Sequence, residues 1–168
     1  MEIHGLDARH RCAVNEYVRV NWGGPDLVSL GNVYDSSELP GFVAVSQDDQ
    51  LLGAVLYCLD GDAMEIAALY ALAEGKGVGR ALMDRAVEQA RAEGVRRVWL
   101  VTSNDSTRAI RFYQLYGFAL IAVNLGSLEE ASRIKGVAPD IGIDGIPMLH
   151  EFVFEMILDN RAKAIGRA

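Results

Sequence analysis

A glycine-rich turn between an apolar run and a helical pattern limits what this chain can fold into. The apolar run from Ala63 to Leu72 is followed by Gly75, Gly77 and Gly79 and then by apolar residues at helical spacing. Glycine lacks the β-carbon that keeps a ligand away from the backbone, and the first N–H groups of a helix have no partner within it. The order of strand, glycine turn and helix therefore predicts an anion site suited to pyrophosphate.

Two common phosphate-binding turns do not fit this stretch. A mononucleotide P-loop needs Lys and then Ser or Thr after its last glycine, whereas Gly79 is followed by Arg80 and Ala81. A dinucleotide turn needs a further glycine where Leu82 stands, and an acidic residue about 20 positions on. The turn belongs to another class of phosphate-binding loop.

The composition bounds the class of protein. The 168 residues include 51% hydrophobic and 23% charged residues, which predicts one domain with a sizeable core. A formal charge of −7 argues against a nucleic-acid-binding surface.

Cys12 and Cys58 have no metal-site or disulfide spacing, and we expect both to be reduced core thiols. No apolar run approaches the roughly 20 residues of a membrane span, so we expect a cytoplasmic protein that binds neither nucleic acid nor membrane.

Hydrophobic periodicity predicts mixed secondary structure. We expect helices over 6–20, 78–93, 106–116 and 127–135, the second ended by Gly94 and the last begun by a capping box at Ser127–Glu130. Strands are predicted over 1–4, 41–46, 51–59, 63–72, 95–102, 118–123 and 148–158, with 28–34 left open between a strand and a short helix. Residues 160–168 read as a frayed tail.

A second motif lies in the stretch NDSTRAIRFYQLYGF, residues 104–118. Its Asn104, Ala109 and Tyr113, followed by a Gly-Phe pair, stand in the order typical of the GNAT superfamily of N-acetyltransferases. The glycine turn likewise resembles the pyrophosphate loop of that family, with the resemblance covering about 41–118. The chain departs from the family at Glu74, where Arg or Gln is usual.

The resemblance implies an α/β (α+β) fold with a mixed, mostly antiparallel sheet of about six or seven strands flanked by helices. A splayed strand pair in such a sheet would hold the acyl-CoA. Residues 1–168 would form a single domain made of substrate-side helices and loops (1–40), a cofactor-binding core (41–118), an insertion (126–147) and a last strand (148–158).

The resemblance also implies acetyl-CoA as the acyl donor, and no metal. The residues expected to bind it are Tyr70, Ala71, Leu72, Gly75, Lys76, Gly77, Val78, Gly79, Arg80, Asn104, Ala109 and Tyr113. A backbone N–H of one of the first three would stabilise the thioester oxygen during attack, and the sequence does not choose among them. Lys76 and Arg80 would supply the positive charge that Glu74 does not.

Catalytic roles follow from the same resemblance. Tyr113 would act as the general acid that protonates the leaving thiolate, the alternative being a core-packing residue. Glu65 would act as the base that deprotonates the amine, the alternative being a glutamate at a solvated strand start, and His150 is the rival base. Asn104 would bind the pantetheine arm or the acetyl region, or else cap the following helix.

The function implied is transfer of an acetyl group from acetyl-CoA to a primary amine of a small molecule by direct attack. Two alternatives stay open: a catalytically silent acyl-CoA-binding or protein-interaction module, and acetylation of a peptide or protein amine. We expect the insertion and the N-terminal segment to determine specificity. An exposed last strand and its tail would allow a homodimer.

Overall fold

The computed structural model describes residues 1–73, 75–136 and 141–158. Its helices are α1 (Ala8–Asn21), α2 (Val78–Glu93), α3 (Thr107–Tyr116) and α4 (Ser127–Lys135). Its strands are β1 (Glu2–Gly5), β2 (Asp26–Ser29), β3 (Asn32–Asp35), β4 (Gly41–Val45), β5 (Leu51–Asp60), β6 (Ala63–Ala71), β7 (Arg97–Ser103), β8 (Ala119–Leu125) and β9 (His150–Ile157). A 3₁₀ turn covers Ile143–Gly145. The expected mixture of helices and strands is confirmed.

Seven strands form one sheet in the order β1-β4-β5-β6-β7-β9-β8, and β2 and β3 form a separate hairpin. The β1/β4, β4/β5, β5/β6 and β8/β9 ladders are antiparallel. The mostly antiparallel sheet of six or seven strands is thereby confirmed. The last strand is not an exposed edge, because β9 lies between β7 and β8, and the edge strands of the sheet are β1 and β8.

The chain divides into two compact units, each described here by itself. The described residues of the first unit are 1–6, 40–73, 75–99 and 156–158. They contain β1, the β4–β6 meander, α2 and the start of β7. The second unit comprises 7–39 and 100–155, and contains α1, the β2/β3 hairpin, α3, β8, α4 and most of β9.

Helix α2 covers β4, β5 and β6 in the first unit. Its apolar stripe, predicted from helical spacing, is buried and consists of Val78, Leu82, Met83, Ala86, Val87 and Ala90. The helix ends at Gly94, whose left-handed backbone (φ 76°) lets its N–H bond back to the last turn. The stripe fixes α2 on the sheet and so determines where the glycine turn before it lies.

Two local predictions change in the second unit. Helix α1 begins at Ala8 rather than Leu6, because the side chain of Asp7 accepts hydrogen bonds from the N–H groups of Arg9 and His10 and caps the helix there. The undecided stretch 28–34 belongs to the β2/β3 hairpin. Leu30 and Gly31 both have positive φ in its two-residue turn, and Leu is an unusual residue for that position.

The structure corrects two further predictions. The capping box at the start of α4 is wrong, since the N-cap is Gly126 and the Ser127 hydroxyl donates to the Asn124 carbonyl. Cys12 is exposed and Cys58 half-buried, so Cys12 is not a core thiol. The predicted tail at 160–168 lies outside the described residues. Among the described helices, none has the length and apolarity needed to cross a membrane.

Candidate active site

The glycine turn has the backbone geometry of a close-approach loop. Gly75 and Gly77 have φ values of 73° and 75°, a region that residues with a side chain rarely adopt. Gly77 is the N-cap of α2 and provides no side-chain hydrogen bond to the helix. Gly77 therefore gives the first N–H groups of α2 no side-chain cap, at a helix end of the kind that binds anions. Glu74 lies outside the described residues.

Neither the backbone conformation nor the packing of this turn requires a glycine at Gly79. It lies in the first turn of α2 without a positive φ, and a β-carbon there would meet no atom within 4 Å. A glycine that the fold does not require leaves the backbone open to a ligand. Lys76 and Arg80 flank it on the exposed surface, and they bring positive charge to the positive end of the helix dipole.

The end of β6 distinguishes among the three candidate backbone donors. The N–H of Leu72 donates to the Leu52 carbonyl of β5 at 2.8 Å. Residues of an antiparallel strand point their N–H groups alternately to opposite edges. Tyr70, opposite Ala54 in register, therefore faces β5 as Leu72 does, and the N–H of Ala71 points away from β5. Only Ala71 among the three has an N–H directed away from the β5 edge.

Glu65 is a buried carboxylate on β6. It is 3% exposed, which excludes the alternative of a solvated strand start. It stands opposite Cys58 in the β5/β6 ladder. The pKa of the Cys58 thiol is raised, mainly by its burial and to a smaller extent by the nearby charges of Glu65 and Asp60. The register shifts near Ala67, so a β-bulge lies between Glu65 and the end of the strand. Bulges of this kind redirect side chains near active sites.

Tyr113 lies on α3 in the second unit and is 8% exposed. Its ring packs against Phe112, Phe118 and Phe154, with centroid separations of 5.4, 6.0 and 5.9 Å. Burial raises its pKa to about 12, which keeps the phenol protonated at neutral pH. Tyr113 therefore packs against its aromatic neighbours and also carries a protonated hydroxyl. Ala109 lies about one turn earlier on α3 and is half-buried.

Asn104 does not cap α3, since the N-cap is Ser106. Its Nδ2 donates to the Pro147 carbonyl, and its Oδ1 accepts from the N–H groups of Leu149 and His150, each at 2.9 Å. A side-chain amide has two donor hydrogens. The bond to Pro147 uses one Nδ2 hydrogen of Asn104, and no second acceptor contacts Nδ2 among the residues that the structure describes.

His150 is held in one tautomer. Its Nδ1 accepts a hydrogen bond from the backbone N–H of Gly126 at 3.2 Å. A neutral imidazole that accepts at Nδ1 carries its proton on Nε2. Neither nitrogen then offers a free lone pair, so this arrangement weakens the case for His150 as the base.

Asp105 is a buried carboxylate beside Asn104 to which the sequence patterns assigned no role. It is 3% exposed, and its Oδ2 accepts a hydrogen bond from the N–H of Ile143 at 2.9 Å. The one feature in the sequence that could have pointed to Asp105 is its position beside Asn104 at the end of a strand. Polar residues occupy the same kind of position in many surface turns, so this feature is not specific. Among the described residues no group of His, Cys, Asp and Glu is arranged to hold a metal ion.

The predicted residues thus fall into two groups. The glycine turn, Ala71 and Glu65 belong to the first unit, and Asn104, Ala109 and Tyr113 belong to the second. The sequence model of the acetyltransferase (GNAT) family matches residues 13–118, a span that includes both groups. The chain belongs to this acetyltransferase (GNAT) family. Family membership identifies the protein as an acetyltransferase.

The chain is also similar to several individual proteins. An uncharacterised Bacillus subtilis protein, YdhI, is 32% identical over 87% of this chain and 91% of its own length. A streptothricin acetyltransferase of Streptomyces lavendulae is 36% identical over 56% of this chain and 52% of its own. A GNAT acetyltransferase from Elizabethkingia anophelis, solved with acetyl-CoA bound, has a TM-score of 0.71 at 16% identity, covering 94% of this chain and 97% of its own. That last likeness concerns the fold.

Proposed function

We propose that this acetyltransferase transfers the acetyl group of acetyl-CoA to a primary amine of a small molecule, by direct attack of the amine on the thioester. The observation that carries the proposal is the start of α2. Gly77 caps it without a side chain, and Gly79 is a glycine that neither φ nor packing requires. The acetyl-CoA bound to the Elizabethkingia relative supports the same donor here.

In this proposal the pyrophosphate of acetyl-CoA binds the backbone from Gly75 to Gly79, including the N–H of Val78. Lys76 and Arg80 supply neighbouring positive charge to the phosphates. The remaining Nδ2 hydrogen of Asn104 donates to a carbonyl of the pantetheine arm. Ala109, with its small side chain, lies along that arm.

The chemistry is assigned to three groups. The N–H of Ala71, which points away from β5, stabilises the negative charge that develops on the thioester oxygen. Glu65 takes the proton from the attacking amine, directly or through water. The Tyr113 hydroxyl, protonated at neutral pH, donates its hydrogen to the leaving sulfur. Tyr70 and Leu72 then position the strand end rather than donate to the oxygen.

Two observations bear on the nature of the acceptor. The Streptomyces relative is named for streptothricin, not for a protein acceptor, which favours a small molecule over a peptide. The acidic balance of the chain, −7 in formal charge, suits a cationic amine. A cytoplasmic location and a homodimer stay predictions.

Calorimetric titration with acetyl-CoA and with free CoA tests the donor site. We expect Gly79→Glu to abolish binding of both, because its side chain occupies the phosphate position while a glutamate in the first turn of a helix is compatible with folding. Gly5→Glu is the matched control, since Gly5 also has open space around its missing β-carbon. Absence of binding by the folded wild type would refute the proposal, and binding without thiol release on addition of amines would identify a silent acyl-CoA-binding module.

A further inference from the structure

The two edge strands of the seven-stranded sheet differ in how they are protected against pairing with another chain. Strand β1 has four residues and carries Glu2 and His4, whose side chains lie 3.2 Å apart. Strand β8 has seven residues, ALIAVNL, and none of them is charged or a proline. Short length, charge and proline are features that keep an edge strand from pairing with another chain. By these features β1 is protected and β8 is not.

The side chains of β8 are exposed as well. Leu120, Ile121, Val123 and Leu125 are each between 45 and 78% exposed. Leu115 on α3, a helix that contacts β8, adds another exposed apolar side chain. We call these five residues the β8 surface. Contiguous apolar surface of this kind on a sheet edge is typical of an interface between proteins.

The outer side of β8 also offers backbone groups for pairing. Strand β9 pairs with its inner side, and no strand among the described residues lies on its outer side. Alternate residues of an antiparallel strand turn their N–H and C=O groups away from the neighbouring strand. A β-bulge shifts the register with β9 between Leu120 and Ala122, and the pairing from Ala122 to Leu125 is regular. These last four residues therefore form a continuous template for another strand.

The lack of charge on β8 limits what can pair with it. A charged side chain placed against this strand would lose water without gaining a partner, so the partner must also be apolar and uncharged there. A second copy of the chain meets this requirement, because a two-fold axis sets β8 antiparallel to itself. Two copies, each with a formal charge of −7, repel one another. An uncharged edge is where this repulsion opposes contact least.

The size of the β8 surface predicts how tightly two copies bind. Full burial of a leucine or isoleucine removes about 100 Å² of apolar surface, so these partly exposed side chains offer roughly 300 Å². A little over half of a typical interface is apolar, which corresponds to roughly 500 Å² per copy in total. Standard interfaces bury about 800 Å² per partner. The β8 surface is therefore suited to a weak, reversible dimer.

We propose that two copies of this chain associate through their β8 strands, which pair antiparallel and join the two sheets into one. The side chains of the β8 surface pack across the two-fold axis, and β1 remains at each outer edge of the joined sheet. The interface is thus placed at β8 and not at the last strand. This proposal does not depend on the acceptor or on acetyl transfer.

Sedimentation equilibrium of the wild-type chain tests for the dimer, over concentrations from about 1 µM to about 300 µM that suit a small interface. We expect a monomer–dimer equilibrium within this range. Val123→Lys and Leu125→Lys each put a charge on the edge at an exposed side chain, and should weaken the dimer at least tenfold. Val33→Lys, at an exposed position on β3, is the matched control and should leave the equilibrium unchanged. A wild type that stays monomeric throughout, or a dimer that both β8 variants leave intact, would overturn the proposal.

Amide hydrogen exchange locates the interface without any substitution. We expect outward-facing N–H groups between Ala122 and Leu125 to exchange at least tenfold more slowly at the highest concentration than at the lowest. The N–H groups of β1 should exchange at the same rate at both concentrations. Slowing that is confined to β1 or to any segment other than β8 would place the interface elsewhere and contradict the pairing.

The salt dependence of the dimer separates this interface from one held by ion pairs. Salt screens the repulsion between two acidic copies, and the paired β8 strands contain no charges whose attraction it could weaken. We therefore expect sodium chloride to strengthen the dimer. A dimer that dissociates as salt is added would be held by ion pairs, which would overturn the assignment to β8.

Discussion

The backbone N–H of Gly126 donates a hydrogen bond of 3.2 Å to Nδ1 of His150. The bond joins the start of β9 to the start of α4 and places the imidazole proton on Nε2. His150 is therefore a structural acceptor in this arrangement, and two substitutions can separate that role from a role as the base.

We expect His150→Asn to retain most of the turnover, because the asparagine oxygen can replace Nδ1 as the acceptor for Gly126. His150→Ala should speed amide exchange at Gly126 by tenfold or more, since the N–H loses its partner. Steady-state kinetics and NMR exchange check both variants. Equal losses of about 100-fold in kcat for the two substitutions would instead identify His150 as the base.

Tyr113→Phe should reduce kcat by roughly 100-fold and leave the affinity for acetyl-CoA unchanged. The substitution removes the hydroxyl but keeps the ring that packs on Phe112, Phe118 and Phe154. Single-turnover kinetics measure the chemical step, and calorimetry measures cofactor binding. Tyr116→Phe on the same helix is the control, and wild-type turnover in Tyr113→Phe across the pH range would eliminate Tyr113 as the acid.

The raised pKa of Tyr113 predicts a loss of stability at alkaline pH. The phenol ionises near its ordinary value of 10.0 in the unfolded chain and at about 12 in the folded one. Its contribution to stability is therefore complete below pH 10 and is lost as the pH rises to 12. One pKa unit corresponds to about 1.4 kcal/mol, so the total loss is about 2 to 3 kcal/mol.

Urea unfolding between pH 9 and 12 measures this effect as a difference between wild type and Tyr113→Phe. The phenylalanine variant has no phenol to ionise at this position, so its free energy of unfolding should fall less steeply with pH. Parallel pH profiles for the two proteins would show that Tyr113 ionises equally easily in the folded and unfolded chains.

Glu65→Gln should lower kcat/KM by roughly 100-fold and remove the acidic limb of its pH profile, which reports the base of the free enzyme. Glutamine has nearly the same shape as the 3% exposed glutamate, so the fold should persist. The measurement is kcat/KM against pH with a saturating donor. Glu93→Gln at the end of α2 is a control at an exposed position, and an acidic limb that survives in Glu65→Gln would assign the base elsewhere.

Gly53→Ala should destabilise the protein by about 1 to 3 kcal/mol, the usual cost of overpacking. A β-carbon at Gly53 on β5 would collide with the Tyr70 carbonyl of β6, directly before the proposed Ala71 donor. Gly5→Ala on β1 is the matched control, because its β-carbon would enter open space. Chemical denaturation measures both changes, and equal stabilities for the two variants would contradict the close β5/β6 contact.

Local sequence patterns were sufficient to predict those parts of the fold that are determined by a single short-range cause. Helix α2 has the predicted bounds because an apolar stripe defines its length and two glycines in left-handed conformation lie at its ends. The β4–β6 meander followed equally from apolar runs separated by turn residues. The glycine turn and Tyr113 were singled out by their motifs, and both lie within the matched residues 13–118, while their roles stay predictions.

The sequence by itself therefore determined the family, the sheet class and the residue types at the candidate site, because these depend on periodicity and on short motifs. Only the tertiary structure decided that Asn104 and Asp105 bind a segment about 40 residues away, and that the N–H of Ala71 points away from β5. Hydrogen-bond partners distant in sequence depend on how strands are ordered and registered. The position of β9 between β7 and β8 has the same origin, since strand order arises from packing across the whole sheet.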